Sequence, residues 1–167
     1  MNHTLSDINQ MDQATFTAVL GPIFEDTPEI ARQVWALRPF ATVSDLHDQM
    51  VAIALAMPEA EQRALIQAHP DLGSRLQMAE ASVQEQAGVG LDQLSADEYA
   101  QFHQLNTAYK AKFGFPFVMA VKGQSKASIL AAFETRLNHS PEQEHQRALA
   151  EIAQIARFRL RDLIQEG

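Results

Sequence analysis

Phe115-Pro116-Phe117-Val118-Met119-Ala120-Val121 is the one run in this chain that reads as a β-strand, rich in aromatic and β-branched residues. It is single, and an isolated strand has no sheet to join. Everything around it carries helical spacing, so the run is expected to be an extended crossing segment in an all-α fold.

Working outward, Ser95-Ala96-Asp97-Glu98 has the form of a capping box, a hydroxyl N-cap with a carboxylate three residues on. It opens a helix through Tyr99, Phe102, Leu105, Asn106 and Tyr109 to Phe113, closed by Gly114. Beyond the crossing segment, Ser125 begins a helix to Leu137, and Ser140-Pro141-Glu142-Gln143 opens another reaching Leu163. Toward the amino terminus a short helix fits Glu80–Ala87, and Pro58 opens one that carries Leu65 and Ile66 to His69. Ser44 is expected to start a helix with Leu46, Met50, Ile53 and Met57 on one stripe. Thr27 and Pro28 are expected as N-cap and first residue of a helix burying Ile30, Val34 and Leu37. Asp12 caps a first helix to Leu20, stopped by Gly21-Pro22. The expectation is a single-domain bundle of about eight helices over residues 1–167, with no repeats and no linker.

A chain of 167 residues without cysteine needs no disulfide and offers no thiol nucleophile, redox pair or Cys-based zinc site. Thirteen basic residues against twenty-one acidic ones leave a net charge of −8, which disfavours nucleic acid and anionic membranes as main partners. A local site can still be positive and bind a small anion. Met1-Asn2-His3-Thr4 has no basic start or apolar signal core, no stretch approaches membrane-spanning length, and Ile164-Gln165-Glu166-Gly167 is not a peroxisomal address. A soluble, cytoplasmic protein is expected.

Four places can carry chemistry. His69, in Ala68-His69-Pro70-Asp71-Leu72-Gly73, ends a helix where Pro70 forces the chain to turn. It reads either as a cap on the last carbonyls, favoured by the macrodipole when protonated, or as an acid–base group. Ser82, Glu85 and Gln86, spaced i, i+3, i+4, share one helix face that is either solvated or able to orient a polar ring or a histidine. Arg159 falls on the core-facing stripe of Leu149, Ile152, Ala156 and Leu163, with Arg157 and Arg161 turned away. A guanidinium there needs a carboxylate or an anionic ligand, and the purely structural version is an ion pair with Glu85 or Glu151. The Phe117–Val121 run holds backbone N–H and C=O groups that no sheet consumes, so it either crosses the core or meets the donors and acceptors of a ureide or amide ring. His47, His103, His139 and His145 read as bland. No HExxH pair, phosphate loop or GxSxG elbow occurs, so no metal is expected.

These segments together resemble the 2-oxo-4-hydroxy-4-carboxy-5-ureidoimidazoline (OHCU) decarboxylases of uric acid breakdown. The matching pieces run in family order from about residue 8 to about residue 164. They are Gly21-Pro22-Ile23-Phe24-Glu25, Arg38-Pro39-Phe40, Leu65-Ile66-Gln67-Ala68-His69-Pro70-Asp71-Leu72 and Ser82-Val83-Gln84-Glu85-Gln86. Leu105-Asn106-Thr107-Ala108-Tyr109, Lys112-Phe113-Gly114-Phe115-Pro116-Phe117-Val118 and Ile155-Ala156-Arg157-Phe158-Arg159-Leu160 follow.

The resemblance implies a cofactor-free carboxy-lyase that turns OHCU into (S)-allantoin and CO2. It makes His69 the catalytic histidine and Glu85 its carboxylate partner. Pro70, Ser82, Val83, Gln84, Glu85, Gln86, Phe117, Val118, Met119, Ala120, Val121 and Arg159 then form the substrate site. It also implies a small-molecule ureidoimidazoline partner and a possible homodimer. Two departures stand out: Thr27-Pro28-Glu29 has glutamate where the family has tryptophan, and the spacer from His69 to Ser82 is shorter than in animal members. Two other readings use the same residues. One is a non-catalytic helical module binding a ureide or purine. The other takes His69-Pro70-Asp71 as the loop of J-domain co-chaperones of Hsp70, against which Pro58–Ala68 carries only Arg63 beside Glu59 and Glu61.

Overall fold

The structure is a computed structural model, and it describes residues 2–73 and 80–165. The described residues form nine α-helices: α1 (Leu5–Gln10), α2 (Gln13–Leu20), α3 (Glu29–Val34), α4 (Val43–Ala56), α5 (Glu59–Gln67), α6 (Glu80–Ala87), α7 (Ala96–Phe113), α8 (Lys126–Arg136) and α9 (Pro141–Leu163). The two-residue strands β1 (His3–Thr4) and β2 (Ile164–Gln165) pair in parallel. The fold is all-α, and residues 116–121 cross without helix or strand, as the isolated β-like run implies. The spacer at residues 74–79 lies outside the described residues.

The chain divides into two compact units, Met1–Ala68 with Ile152–Gly167, and His69–Glu151. In the first, α1 is the helix that the apolar pattern does not announce. Its signal is polar: Thr4 accepts from the Asp7 N–H and Asp7 accepts from the Thr4 N–H, both at 3.1 Å, a capping box with aspartate in place of glutamate. Asp12 caps α2 as expected, accepting from the Thr15 N–H at 2.7 Å. α2 ends at Leu20 with Gly21 as its C-cap, as expected, and a 3-10 turn, Gly21–Ile23, follows directly.

Three expectations in this unit need correction. Thr27 is not the N-cap of α3, because its hydroxyl donates to the Glu25 carbonyl at 2.8 Å and Pro28 stands at the cap without a side-chain bond. Leu37 is not a core residue; it is 48% exposed, on the 3-10 turn Trp35–Leu37 that re-phases the helix. The α4 cap is Thr42 rather than Ser44, accepting from the Asp45 N–H at 2.9 Å.

The rest of the unit explains the Arg38-Pro39-Phe40 motif as a clamp. Arg38 donates to the carbonyls of Asn9, Met11 and Trp35 at 2.8–3.1 Å and covers the Trp35 ring at 4.0 Å. The Asn9 side chain pairs with both backbone groups of Phe40, at 2.8 and 3.0 Å. His47 is structural, donating to the Ala153 carbonyl at 2.8 Å.

The second unit is built on aromatic packing. Phe102, Tyr109, Phe113, Phe115, Phe117 and Phe133 are all buried, and each ring contributes about 1.5–3 kcal/mol by leaving water. Phe117 stacks on Phe133 at 3.8 Å and meets Tyr109 edge-on at 5.3 Å, so the crossing segment is pinned at its first residue. The caps of α7 and α8 are Ser95 and Ser125, each closed by a box with the residue three on. Gly114, at φ 78°, ends α7 in the left-handed region that glycine alone adopts without cost.

Candidate active site

The chain leaves α5 at Ala68, and His69 follows at the bend before Pro70, buried to 8% exposure. An imidazole so placed cannot take its orientation from a helix ladder, since the chain has left the helix. Its loop is held instead by side chains of α6 and α7. Gln86 Oε1 accepts from the Gly73 N–H at 2.9 Å and Gln86 Nε2 donates to the Asp71 carbonyl at 3.3 Å. Asn106 Nδ2 donates to the Leu72 carbonyl at 2.8 Å, and Lys110 pairs with the Asp71 carboxylate at 2.8 Å. Gly73 sits at φ 70°, in the left-handed region where an L side chain is strained, which favours glycine at this turn. Three successive residues after His69-Pro70 are thus gripped by polar side chains, two of them from buried amides.

The face of α6 is divided. Gln86 is 4% exposed and spends its amide on the loop, Glu85 is half-buried, and Val83 (42%) and Gln84 are exposed. The side chain of Ser82 lies outside the described residues.

In the crossing segment the side chains of Phe117, Val118, Ala120 and Val121 are buried and Met119 is half-buried. Any polar reading of this segment therefore rests on its backbone. Arg136 Nη1 donates to the Val118 carbonyl at 2.7 Å, Glu151 Oε1 accepts from the Ala120 N–H at 3.0 Å, and the Val121 carbonyl accepts from Gln124 at 2.9 Å. The Met119 N–H and C=O make no hydrogen bond among the described residues.

Beneath the segment lies a buried network. Glu144, with a fully buried side chain, accepts from Tyr109 Oη at 2.5 Å, from Arg136 Nε at 2.8 Å and from His139 Nδ1 at 2.8 Å. Burial and the Glu144 carboxylate together push the Tyr109 phenol far above its ordinary value, so it stays protonated and donates.

Arg159 belongs to the first unit and is 8% exposed, as its position on the stripe implies. Its carboxylate partner is Glu25, at 2.9 Å from Nη1, which also donates to the Pro22 carbonyl at 3.0 Å. Within its own unit, then, Arg159 meets a carboxylate that the sequence reading did not name. Glu151 engages the Ala120 N–H and, at 3.1 Å, Arg147. Register along one helix cannot reveal a partner 134 positions away.

Asn106, Arg136, Glu144 and Glu151 take roles that the sequence reading did not assign them. The signal for three of them was the one that singled out Arg159: a polar residue on an apolar helical stripe. Asn106 shares its stripe with Phe102, Tyr109 and Phe113, Arg136 with Ile129 and Phe133, and Glu144 with Ala148 and Ile152. Among the described residues, no group of three His, Asp or Glu side chains could hold a metal ion.

Comparison with known proteins places these features in a family. The profile of the family described as OHCU decarboxylase matches residues 9–161. The uric acid degradation bifunctional protein PucL of Bacillus subtilis is 48% identical over 163 residues, 98% of this chain; the chain spans 33% of the length of that relative. The 2-oxo-4-hydroxy-4-carboxy-5-ureidoimidazoline decarboxylase of Halalkalicoccus jeotgali is 41% identical, with 96% of this chain and 91% of that protein aligned. A crystal structure of (S)-allantoin synthase superposes with a TM-score of 0.80 at 30% identity, over 96% of this chain and 54% of that one.

Proposed function

The chain belongs to the OHCU decarboxylase family, and from that premise we propose that residues 1–167 act as one catalytic domain that decarboxylates OHCU to (S)-allantoin and CO2 in uric acid degradation. The enzyme is a carboxy-lyase. The observation that carries the proposal is the family's histidine, His69, buried at a helix exit on a loop gripped at Asp71, Leu72 and Gly73.

The chemistry asks little of the protein beyond placement and proton handling. The departing carboxylate of OHCU sits on a ring carbon that also bears a hydroxyl and adjoins a C=N bond. When the C–CO2 bond breaks, its electron pair forms a C=C bond and the imine π pair moves to nitrogen, which takes a proton. The resulting enol loses its hydroxyl proton to become the carbonyl, and the neighbouring carbon takes a proton from one face, which sets the S configuration. The electron sink is in the substrate, so no cofactor is needed.

Each residue then has a task. His69 moves the hydroxyl proton and is oriented by Glu85. Pro70 and the α6 residues Ser82, Val83, Gln84, Glu85 and Gln86 flank the ring. The backbone from Phe117 to Val121 reads it, with the unspent N–H and C=O of Met119 supporting that task. Arg159 meets a carbonyl or anionic oxygen rather than the leaving carboxylate, because stabilising that carboxylate in the ground state would oppose its loss.

The substrate is a small ureidoimidazoline. No nucleic-acid or membrane partner is proposed for a chain of net charge −8. No helix among the described residues is long and apolar enough to cross a membrane. A cytoplasmic location and a homodimer complete the proposal.

The test is circular dichroism of allantoin formed from freshly generated OHCU. Wild type should give a fast S-configured signal, and a folded His69→Ala variant should lose about 10²–10⁴-fold in rate. A racemic product at the spontaneous rate from wild type would overturn the proposal.

A further inference from the structure

We propose that Arg136 and Glu151 are positioning residues for this reaction, acting through the Val118 carbonyl and the Ala120 N–H to set the backbone against which the substrate ring lies. The inference rests on the reading of Phe117–Val121 as the ring-binding segment.

A segment outside helix and sheet has no ladder to fix its register, yet its buried N–H and C=O groups must still find partners. Here two side chains from two helices supply two of those partners. From α8, Arg136 (3% exposed) spends Nη1 on the Val118 carbonyl at 2.7 Å and Nε on Glu144 at 2.8 Å, with its guanidinium over the Phe117 ring at 4.2 Å. The planar fork thus ties one backbone oxygen to a carboxylate that is itself fully buried, a geometry lysine cannot reproduce. From α9, Glu151 Oε1 accepts from the Ala120 N–H at 3.0 Å, while Oε2 is steadied by Arg147 at 3.1 Å. The residue between the two grips is Met119, whose own N–H and C=O make no hydrogen bond among the described residues. Clamping both neighbours fixes the peptide planes on either side of Met119. An adjacent donor and acceptor are then held ready for a ureide edge without ordering on binding.

The grips differ from general packing in what their loss should move. Glu151 is only partly buried, and Glu151→Leu removes the acceptor that holds the Ala120 N–H, so the positioning role predicts a loss in ring binding. The measurements are kcat and KM for OHCU, (S)-allantoin affinity by calorimetry, melting temperature, and the amide resonances of Met119 and Ala120 during (S)-allantoin titration. Glu151→Leu should raise KM and the allantoin Kd roughly tenfold with kcat nearly unchanged, and Glu151→Gln, which keeps an acceptor oxygen, should restore most of the loss. Arg136→Lys should act in the same direction with a larger loss of melting temperature. If Glu151→Leu and Glu151→Gln melt lower alike while KM and Kd stay at the wild-type values, the two residues are structural and the proposal falls. A Met119 amide that does not respond to saturating (S)-allantoin in wild type overturns the ring-binding reading, and this inference with it. A response in wild type that persists unaltered in Glu151→Leu overturns only the positioning role.

Discussion

At Asn106 the chain buries an amide to 5% exposure, donates Nδ2 to the Leu72 carbonyl at 2.8 Å, and leaves Oδ1 with no partner among the described residues. An unsatisfied buried acceptor costs about 1–3 kcal/mol, so a leucine of similar volume would ordinarily serve better. The amide is retained where it steadies the loop that follows His69, and Gln86 does the same from α6 with both of its amide atoms. Asn106→Leu should therefore lower kcat by about ten- to a hundredfold through a displaced imidazole, while shifting stability by only about 1–2 kcal/mol. Steady-state kinetics alongside thermal melts checks this; a kcat equal to wild type in the folded variant would show that the loop holds its shape without the amide. Asn106 was visible in the sequence as a polar residue on an apolar stripe, but its target was not. A side chain reaching a backbone carbonyl 34 positions away leaves no trace in local spacing.

Among the elements, α7, α8 and α9 are joined by the Tyr109–Glu144–Arg136 network, with His139 at its edge. Caps and periodicity located these three helices closely: they start after Ser95, Ser125 and Ser140 as expected, because capping is a matter of residues within one turn. The network is a tertiary event, and its pH dependence follows from Tyr109. Burial first, and Glu144 second, raise the phenol's folded-state pKa above its unfolded value near 10. The unfolded chain then releases a proton that the folded chain keeps, so the contribution is complete below about pH 10 and is lost as pH climbs beyond it. Urea midpoints followed from pH 8 to pH 11 should fall above about pH 10 in wild type. Tyr109→Phe should start lower, having lost the bond to Glu144, and then decline less. Parallel declines in the two proteins would place the alkaline sensitivity elsewhere.

For the whole molecule, the first unit is assembled from both ends of the chain. β1 pairs with β2, and the buried Glu25–Arg159 pair joins positions 134 apart. Removing one partner of such a pair leaves an uncompensated charge, so Glu25→Ala should destabilise by about 3–5 kcal/mol in chemical denaturation. Replacing both residues with leucine should recover much of that loss, since a well-packed apolar pair does not meet the desolvation cost. If Arg159 also meets substrate, the double variant will fold yet bind (S)-allantoin poorly, and affinity restored together with stability would assign Arg159 to structure alone. The sequence by itself determined the helical class, the limits of most helices, the isolated crossing segment and the family, because caps, turns and apolar periodicity act over a few residues and motifs are read in order. It also singled out His69 as the imidazole at a helix end before a proline, and Arg159 as a charge on an apolar stripe. Only the tertiary structure decided that Glu25 answers Arg159, that Gln86 and Asn106 hold the histidine loop, and that Arg136 and Glu151 grip the crossing segment. Those choices depend on which elements pack together, and a buried polar atom takes whichever partner that packing brings within about 3 Å.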